Sequence, residues 1–329
     1  MYGAGNIAKK VVKAIDKIDR IEKYSVASRH YTNAVSFKEM YGFKTAYSYS
    51  DLISDPLVDF VYISTPTGYH YEAIKECLHA NKHVICEKTL VTSLEEAKEV
   101  IDLAESKNLL LMDATWTLYT PMFNYLDDLM TGNMPMGKVK KIYASFGGKA
   151  LDNKRLMDVN GGGAMLDIGI YCVAIANRFF RDLASLSARN RFLYGVDIDN
   201  ILSLKYKQGT AVIHSSICRR TACSLVILFD KGIICSRGFW TGKSMYIWKY
   251  PFSIKKMTFP HIQNGYEYEF LEMVNLMDEN KTEPHTIPHS ETLRNMYIVD
   301  NARKSRRYSV CWLNKNQKIG KQFLKHEQC

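Results

Sequence analysis

The residues Gly3-Ala4-Gly5-Asn6-Ile7-Ala8 fit the spacing G-x-G-x-x-[GA] opening a helix. The first glycine permits a tight turn, the second lets backbone approach a pyrophosphate, and small Ala8 lets helix and sheet pack closely. The helix start, with Asn6 and Ile7, then faces phosphate with free N–H groups and the positive end of its dipole. Further on, Ala27-Ser28-Arg29-His30 closes a short extended stretch. An acid there would bind the ribose 2′-hydroxyl of NAD. Ser28 and Arg29 instead offer a hydroxyl and a guanidinium, which suit the 2′-phosphate of NADP. NADP is therefore expected, with NAD the other candidate, and a plain surface arginine in a turn is the competing reading of Arg29.

Positioning such a loop takes alternating strands and helices, and the first half of the chain supplies them. Ile7, Val11, Ile15 and Ile18 share one helical face. Tyr24–Ser28, Lys44–Ala46, Asp59–Ser64, His83–Cys86 and Leu109–Met112 read as strands. Helices are expected over about 31–41, 68–80 and 93–106. The pattern predicts a Rossmann, doubly wound parallel sheet over 1–116. From 117 to 309 the chain reads as an α+β substrate and oligomerisation domain. Helices are expected over about 119–131, 163–180, 267–280 and 290–306. Successive strands over 200–249 predict an open, mostly antiparallel meander.

Composition excludes several classes. The 329 residues are 47% hydrophobic and 24% charged, an ordinary globular balance. No apolar run approaches the roughly 18 residues of a membrane helix, and the first residues are not a secretory leader. Eight scattered cysteines without a CxxC pair read as reduced thiols in the cytoplasm. The net charge is +10, and residues 301–329 carry eight Lys/Arg against one acid. That basic tail (310–329 lies beyond the second domain) is read as a solvated extension. No nucleic-acid motif accompanies it, so neither nucleic acid nor membrane is an expected partner.

Five further segments carry a resemblance. Ser64-Thr65-Pro66-Thr67-Gly68-Tyr69-His70, Cys86-Glu87-Lys88-Thr89-Leu90 and Met112-Asp113-Ala114-Thr115-Trp116-Thr117 come first, then Gly161 to Tyr171 and Gly265-Tyr266-Glu267-Tyr268-Glu269. In this order they resemble the motifs of the glucose–fructose oxidoreductase / inositol dehydrogenase / MocA family, most of all its dimeric dihydrodiol dehydrogenase and NADP-dependent D-xylose dehydrogenase branch. The resemblance implies a hydride transfer between nicotinamide and a secondary alcohol of a sugar, polyol or trans-dihydrodiol, in a homodimer or higher homo-oligomer. It implies Lys88 and Tyr171 as the catalytic pair, with Asp167 in support. Oxidation of an alcohol needs a side chain to take the hydroxyl proton. Tyr171 can do so if the Lys88 ammonium lowers its pKa. Asp167, four residues before Tyr171, would orient a substrate hydroxyl or hold Lys88. Thr65, Pro66, His70, Glu87 and Lys88 would border the cofactor. Trp116 would line the substrate pocket, and Arg155 would reach substrate or phosphate; packing is the other reading of both. His285 and His289 lie in a Pro-bounded loop and no metal is assigned.

Departures from the family pattern, namely the missing first strand, Thr89 and Leu118, favour an alternative, a catalytically impaired dinucleotide-binding or sensory protein. Only Met1-Tyr2 precede Gly3 where a whole first strand is expected, so the chain reads as N-terminally truncated, with a void in the sheet. Thr89 replaces the family proline; a cis bond before threonine costs about 2.5–4 kcal/mol, so trans is expected. Leu118 replaces an arginine, and Thr67 stands where asparagine is usual.

Overall fold

The computed structural model describes residues 1–131, 136–251 and 253–305. The basic tail, 310–329, lies outside the described residues.

Two sets of parallel strands form the first sheet. β1 (Ser25–Ala27) pairs with β2 (Thr45–Tyr47), and β3 (Phe60–Ile63), β4 (His83–Glu87) and β5 (Leu111–Ala114) pair in that order. Tyr2 joins the sets, bridging in parallel to Ala27 on one side and Ile63 on the other. The Tyr2 and Gly3 N–H groups donate to Tyr62 O (2.8 Å) and Ala27 O (2.9 Å). At the place expected for a full strand, the opening residues thus bridge the two sets at one position. A cavity of about 180 Å³ lies beside Met1, Tyr24, Phe60 and Phe270. Val61, Ile63, Val84, Ile85 and Cys86 are fully buried, as strands covered on both faces require.

The covering helices are α1 (Asn6–Ile15), α2 (Tyr31–Tyr41), α3 (Tyr49–Ser54), α4 (His70–His79) and α5 (Leu94–Ser106). Local chemistry sets their ends. Ser48 and Asp51 form a capping box on α3, and Ser93 accepts the Glu96 N–H at the start of α5. Gly42 ends α2 in the left-handed conformation (φ 72°) that favours glycine.

After α6 (Pro121–Thr131) comes an eight-stranded sheet. Its strands are β6 (Val139–Gly147), β7 (Leu183–Leu193), β8 (Val196–Tyr206), β9 (Thr210–Ser216), β10 (Ser224–Phe229), β11 (Gly232–Arg237), β12 (Ser244–Lys249) and β13 (Ser253–Thr258). They lie in the order β13-β12-β11-β10-β6-β9-β8-β7. The sheet is mostly antiparallel, as expected; β6 interrupts the meander, inserting between β10 and β9 and running parallel to β9. One face, through Ile142, Ala144, Leu202, Leu204 and Ile213, is buried. Tyr143, Ile201, Val212, Tyr246, Trp248 and Ile254 are exposed.

α7 (Ile170–Phe179) packs on β6 and β9. The chain closes with α8 (Glu267–Asp278) and α9 (His289–Lys304), and α9 packs against both α5 and α7. One apolar cluster runs without interruption from Val11 in α1 to Ala302 in α9, so the two sheets share a core. Among the described residues no helix is long and apolar enough to cross a membrane.

Candidate active site

A cradle lies at the start of α1. Gly3 has φ +116°, and a Cβ there would come within 2.9 Å of Ser64 Oγ, so glycine is required. A Cβ on Gly5 would meet nothing within 4 Å, which marks open space over the helix start. No side chain caps α1. Thr65 Oγ1 is buried without a hydrogen-bond partner at the end of β3. An open, uncapped helix start beside an orphaned hydroxyl fits a dinucleotide pyrophosphate. Arg29, just past β1, holds its guanidinium 4.7 Å from the Tyr69 ring centroid. Opposite the turn Thr67–Tyr69, a Cβ on Gly68 would lie 2.3 Å from Asn160 O, and one on Gly161 2.3 Å from Gly68 N. Two glycines therefore let the 158–163 loop close on the cradle backbone to backbone.

β4 delivers Lys88 to the crevice between the sheets. Its ammonium donates to the Asp167 carbonyl (2.6 Å), pairs with Asp167 Oδ1 (3.3 Å) and lies 5.0 Å from the Tyr171 ring centroid. Arg155 Nη1 holds the same Oδ1 at 3.0 Å. Asp167 sits in a π-helical turn, Met165–Gly169, that leads into α7. Asp197 builds that turn: its Oδ2 accepts the Met165 N–H at 2.7 Å, and a Cβ on Gly163 would collide with its other oxygen. Trp116 Nε1 donates to the Tyr171 hydroxyl at 3.1 Å, and its ring stacks on Tyr266 at 4.7 Å. Lys88, Asp167, Tyr171, Trp116 and Arg155, spread over 84 residues of sequence, thus meet at one point.

Beneath them lies a floor of buried acids. Glu87 Oε1 accepts from the Tyr62 hydroxyl at 2.5 Å. Glu269, fully buried on α8, has no partner for either carboxylate oxygen. Burial, then the neighbouring Glu87, pushes its pKa well above the usual carboxylate range. Burial also raises Glu87, and pushes Asp113 up to about 6. Sequence reasoning quoted Asp113 and Glu269 inside motifs but gave them no part in this floor, and it passed over Tyr62.

Three expectations are corrected. The Lys88–Thr89 peptide is cis, not trans. Thr89 is buried there, its Oγ1 donating to Leu166 O (2.7 Å) and its carbonyl facing His70 Nδ1 (3.0 Å). His70 does not present a free ring to the crevice. Its Nε2 faces Thr65 O (2.8 Å), so both ring nitrogens are taken by backbone and the side chain ties the Thr65 and Thr89 turns together. The Tyr171 pKa is raised, not lowered, chiefly by burial and next by the Glu87 charge, while the Trp116 N–H works the other way. Asp167 offsets the Lys88 ammonium that was expected to favour a phenolate. Leu118 is buried in the core.

The sequence profile of the oxidoreductase family with an NAD-binding Rossmann fold matches residues 1–115, and that of the GFO/IDH/MocA C-terminal domain matches residues 133–235. A trans-1,2-dihydrobenzene-1,2-diol dehydrogenase of Xenopus laevis is 31% identical over 239 residues, 70% of this chain and 72% of its own length. The chain belongs to this family. It is an oxidoreductase with the family's NAD-binding domain. The human enzyme of the same name is 35% identical over 158 residues, 47% of each chain. Among solved structures, a 3-ketoreductase from Actinomadura kijaniata in complex with NADP and TDP-benzene superposes with TM-score 0.83 at 23% identity, covering 92% of this chain and 95% of that one. A levoglucosan dehydrogenase superposes with TM-score 0.79 at 16% identity and the same coverage. Both share the fold of this family member.

Proposed function

We propose that this oxidoreductase moves a hydride between NADP and a secondary alcohol of a trans-dihydrodiol, sugar or polyol, with Tyr171 as its proton-transfer group. The observation that carries the reading is the Lys88 ammonium lying 5.0 Å from the Tyr171 ring at the inner end of the cradle. Gly3, Gly5 and the N–H groups of Asn6 and Ile7 would hold the pyrophosphate. Ser28 and Arg29 would bind the 2′-phosphate. Thr65, Pro66, Glu87 and Lys88 would border the nicotinamide, with His70 positioning that border from behind. The bound dinucleotide supplies the hydride acceptor or donor.

The chain's part is the proton. Tyr171 is neutral near pH 7, because burial keeps the phenol protonated. It is therefore set to donate to a ketone oxygen in reduction; in oxidation it must first lose its proton. Lys88 would meet the substrate oxygen from the other side, held there by Asp167. Arg155, anchored on the same carboxylate, would face incoming substrate, and Trp116 would wall the pocket. The diol preference rests on the relatives of that name, and the NADP preference on Ser28 and Arg29.

The exposed sheet face through Tyr143, Val212, Tyr246 and Trp248 would bury against a second copy of the chain. Six described cysteines are free, which supports a reducing compartment such as the cytoplasm. The test is a panel of trans-dihydrodiols, pentoses and polyols assayed with NADP and NAD, for the wild type and Arg29→Ala. The reading requires NADP-linked turnover, and a rise of about tenfold or more in the KM for NADP with little change for NAD. Equal use of both dinucleotides by both proteins would refute the 2′-phosphate assignment. Light scattering of the wild type and Trp248→Asp checks the dimer.

A further inference from the structure

We propose that Glu105, Glu283 and His289 form a site for a divalent transition-metal ion, best matched by Zn²⁺, that fastens the end of α5 to the start of α9. The three come from different places: Glu105 from the last turn of α5, Glu283 from the segment after α8, and His289 from the first position of α9. One ligand atom of each lies within 4.8 Å of the others. His289 Nδ1 stands 3.0 Å from Glu283 Oε2 and 3.4 Å from Glu105 Oε1.

The setting of the imidazole is what points to a cation. Its Nε2 lies 3.0 Å from the carbonyl oxygen of Leu111, which can only accept. Nε2 therefore carries the hydrogen. Nδ1 then faces two carboxylates, and a metal cation among the three would bond them together. A ring fixed by donating its far N–H to a backbone carbonyl is the arrangement of metal-bound histidines. The His289 side chain is only 8% exposed, so its direction is set by packing. Glu283 is oriented as well: its Oε1 accepts the His289 backbone N–H at 2.9 Å.

Distances and donor types agree with zinc. Ligand bonds of about 2.0–2.1 Å at tetrahedral angles put neighbouring donors about 3.3 Å apart. The observed 3.0 and 3.4 Å bracket that edge. The two carboxylates are 54% and 60% exposed, free to swing inward and close the remaining gap. One imidazole and two carboxylates neutralise a dication and leave a fourth position for water. A nitrogen donor favours zinc over magnesium or calcium, which take oxygen ligands. In the sequence His289 lies with His285 in a Pro-bounded loop; only the fold brings Glu105 to it. Leu111 opens β5, the strand that leads to Asp113 and the turn of Trp116, so the ion would brace the crevice from outside without touching it.

The test uses the chelator-stripped full chain, titrated with zinc chloride and, separately, magnesium chloride, by calorimetry and thermal melting. The proposal requires zinc binding in the micromolar range with a rise in Tm, and no response to magnesium. Glu105→Gln, at an exposed side chain, must weaken zinc at least about tenfold while leaving the metal-free Tm unchanged, and Glu283→Gln must weaken it likewise. Absence of zinc heat and of a Tm rise in the wild type would overturn the proposal. So would zinc binding to both variants as tightly as to the wild type. Both readouts are independent of catalysis, so they do not depend on the proposed function.

Discussion

Asp167 at the rim of the crevice and Glu269 in its floor are both carboxylic acids withdrawn from water, yet their pKa values move in opposite directions. Asp167 has Lys88 and Arg155 at 3.3 and 3.0 Å from one oxygen, and these cations hold its pKa below the usual value against the penalty of burial. Glu269 has no cation and no hydrogen-bond donor. Its nearest charged company is acidic, and its pKa is raised well above the usual value. Burial alone does not decide the charge of an acid; the partners it keeps do. The rim is thus a fixed array of charges, and under the proposed function it would meet substrate. The floor is a set of buried acids whose own pKa values are raised and whose charge raises that of Tyr171 in turn.

The rim can be broken hardest at Lys88. Lys88→Met removes the ammonium and leaves Asp167 to Arg155. Turnover per KM should fall by about 10²–10⁴, with an unchanged circular dichroism spectrum. Asp167→Asn is milder, about tenfold to a hundredfold, because it frees Lys88 from its anchor without removing it. The same variant has a stability signature. The folded pKa of Asp167 is lowered, so its contribution is present above the unfolded value near 4 and lost as pH falls below it. Urea midpoints of Asp167→Asn should therefore converge on the wild type in acid.

The floor predicts the opposite sign. The folded pKa of Glu269 is raised, so its contribution is complete below about pH 4 and is lost as pH rises toward the folded value. Glu269→Gln should gain on the wild type between pH 5 and 8, by up to about 1.4 kcal/mol per pH unit. A difference that does not change with pH would mean that Glu269 is ionised and that the comparison fails. Tyr62→Phe, which deletes the one hydroxyl bonded to Glu87, should have the smallest effect, about 1–2 kcal/mol in a denaturant midpoint.

Much of this was legible in the chain. The glycine spacing, the apolar strands β3 and β4, and the resemblance carried by Lys88 and Tyr171 all led to one crevice, where the fold brings Lys88 and Tyr171 together, because period and motif are local properties. What escaped depended on distant pairs. β7 and β13 are edge strands rich in Ser, Arg or Lys, so they lack the apolar alternation that betrays a covered strand. The place of β6 between β9 and β10 has no local signal. The run Gly161 to Gly163 reads as a loop until Asp197 is seen pressed against it. The raised pKa of Tyr171 follows from Glu87 and total burial, and neither can be read from the spacing of Lys88 and Tyr171.

The central claim is that Tyr171 moves the proton and is kept neutral by burial. The most direct measurement is the pH dependence of turnover in both directions for the wild type and Tyr171→Phe, with NADP affinity measured alongside. The account predicts ketone reduction at neutral pH, alcohol oxidation that climbs into the alkaline range, and a loss of at least about a hundredfold in both directions for Tyr171→Phe at unchanged NADP affinity. Oxidation that peaks at or below neutral pH, or a Tyr171→Phe protein that turns over like the wild type, would contradict it.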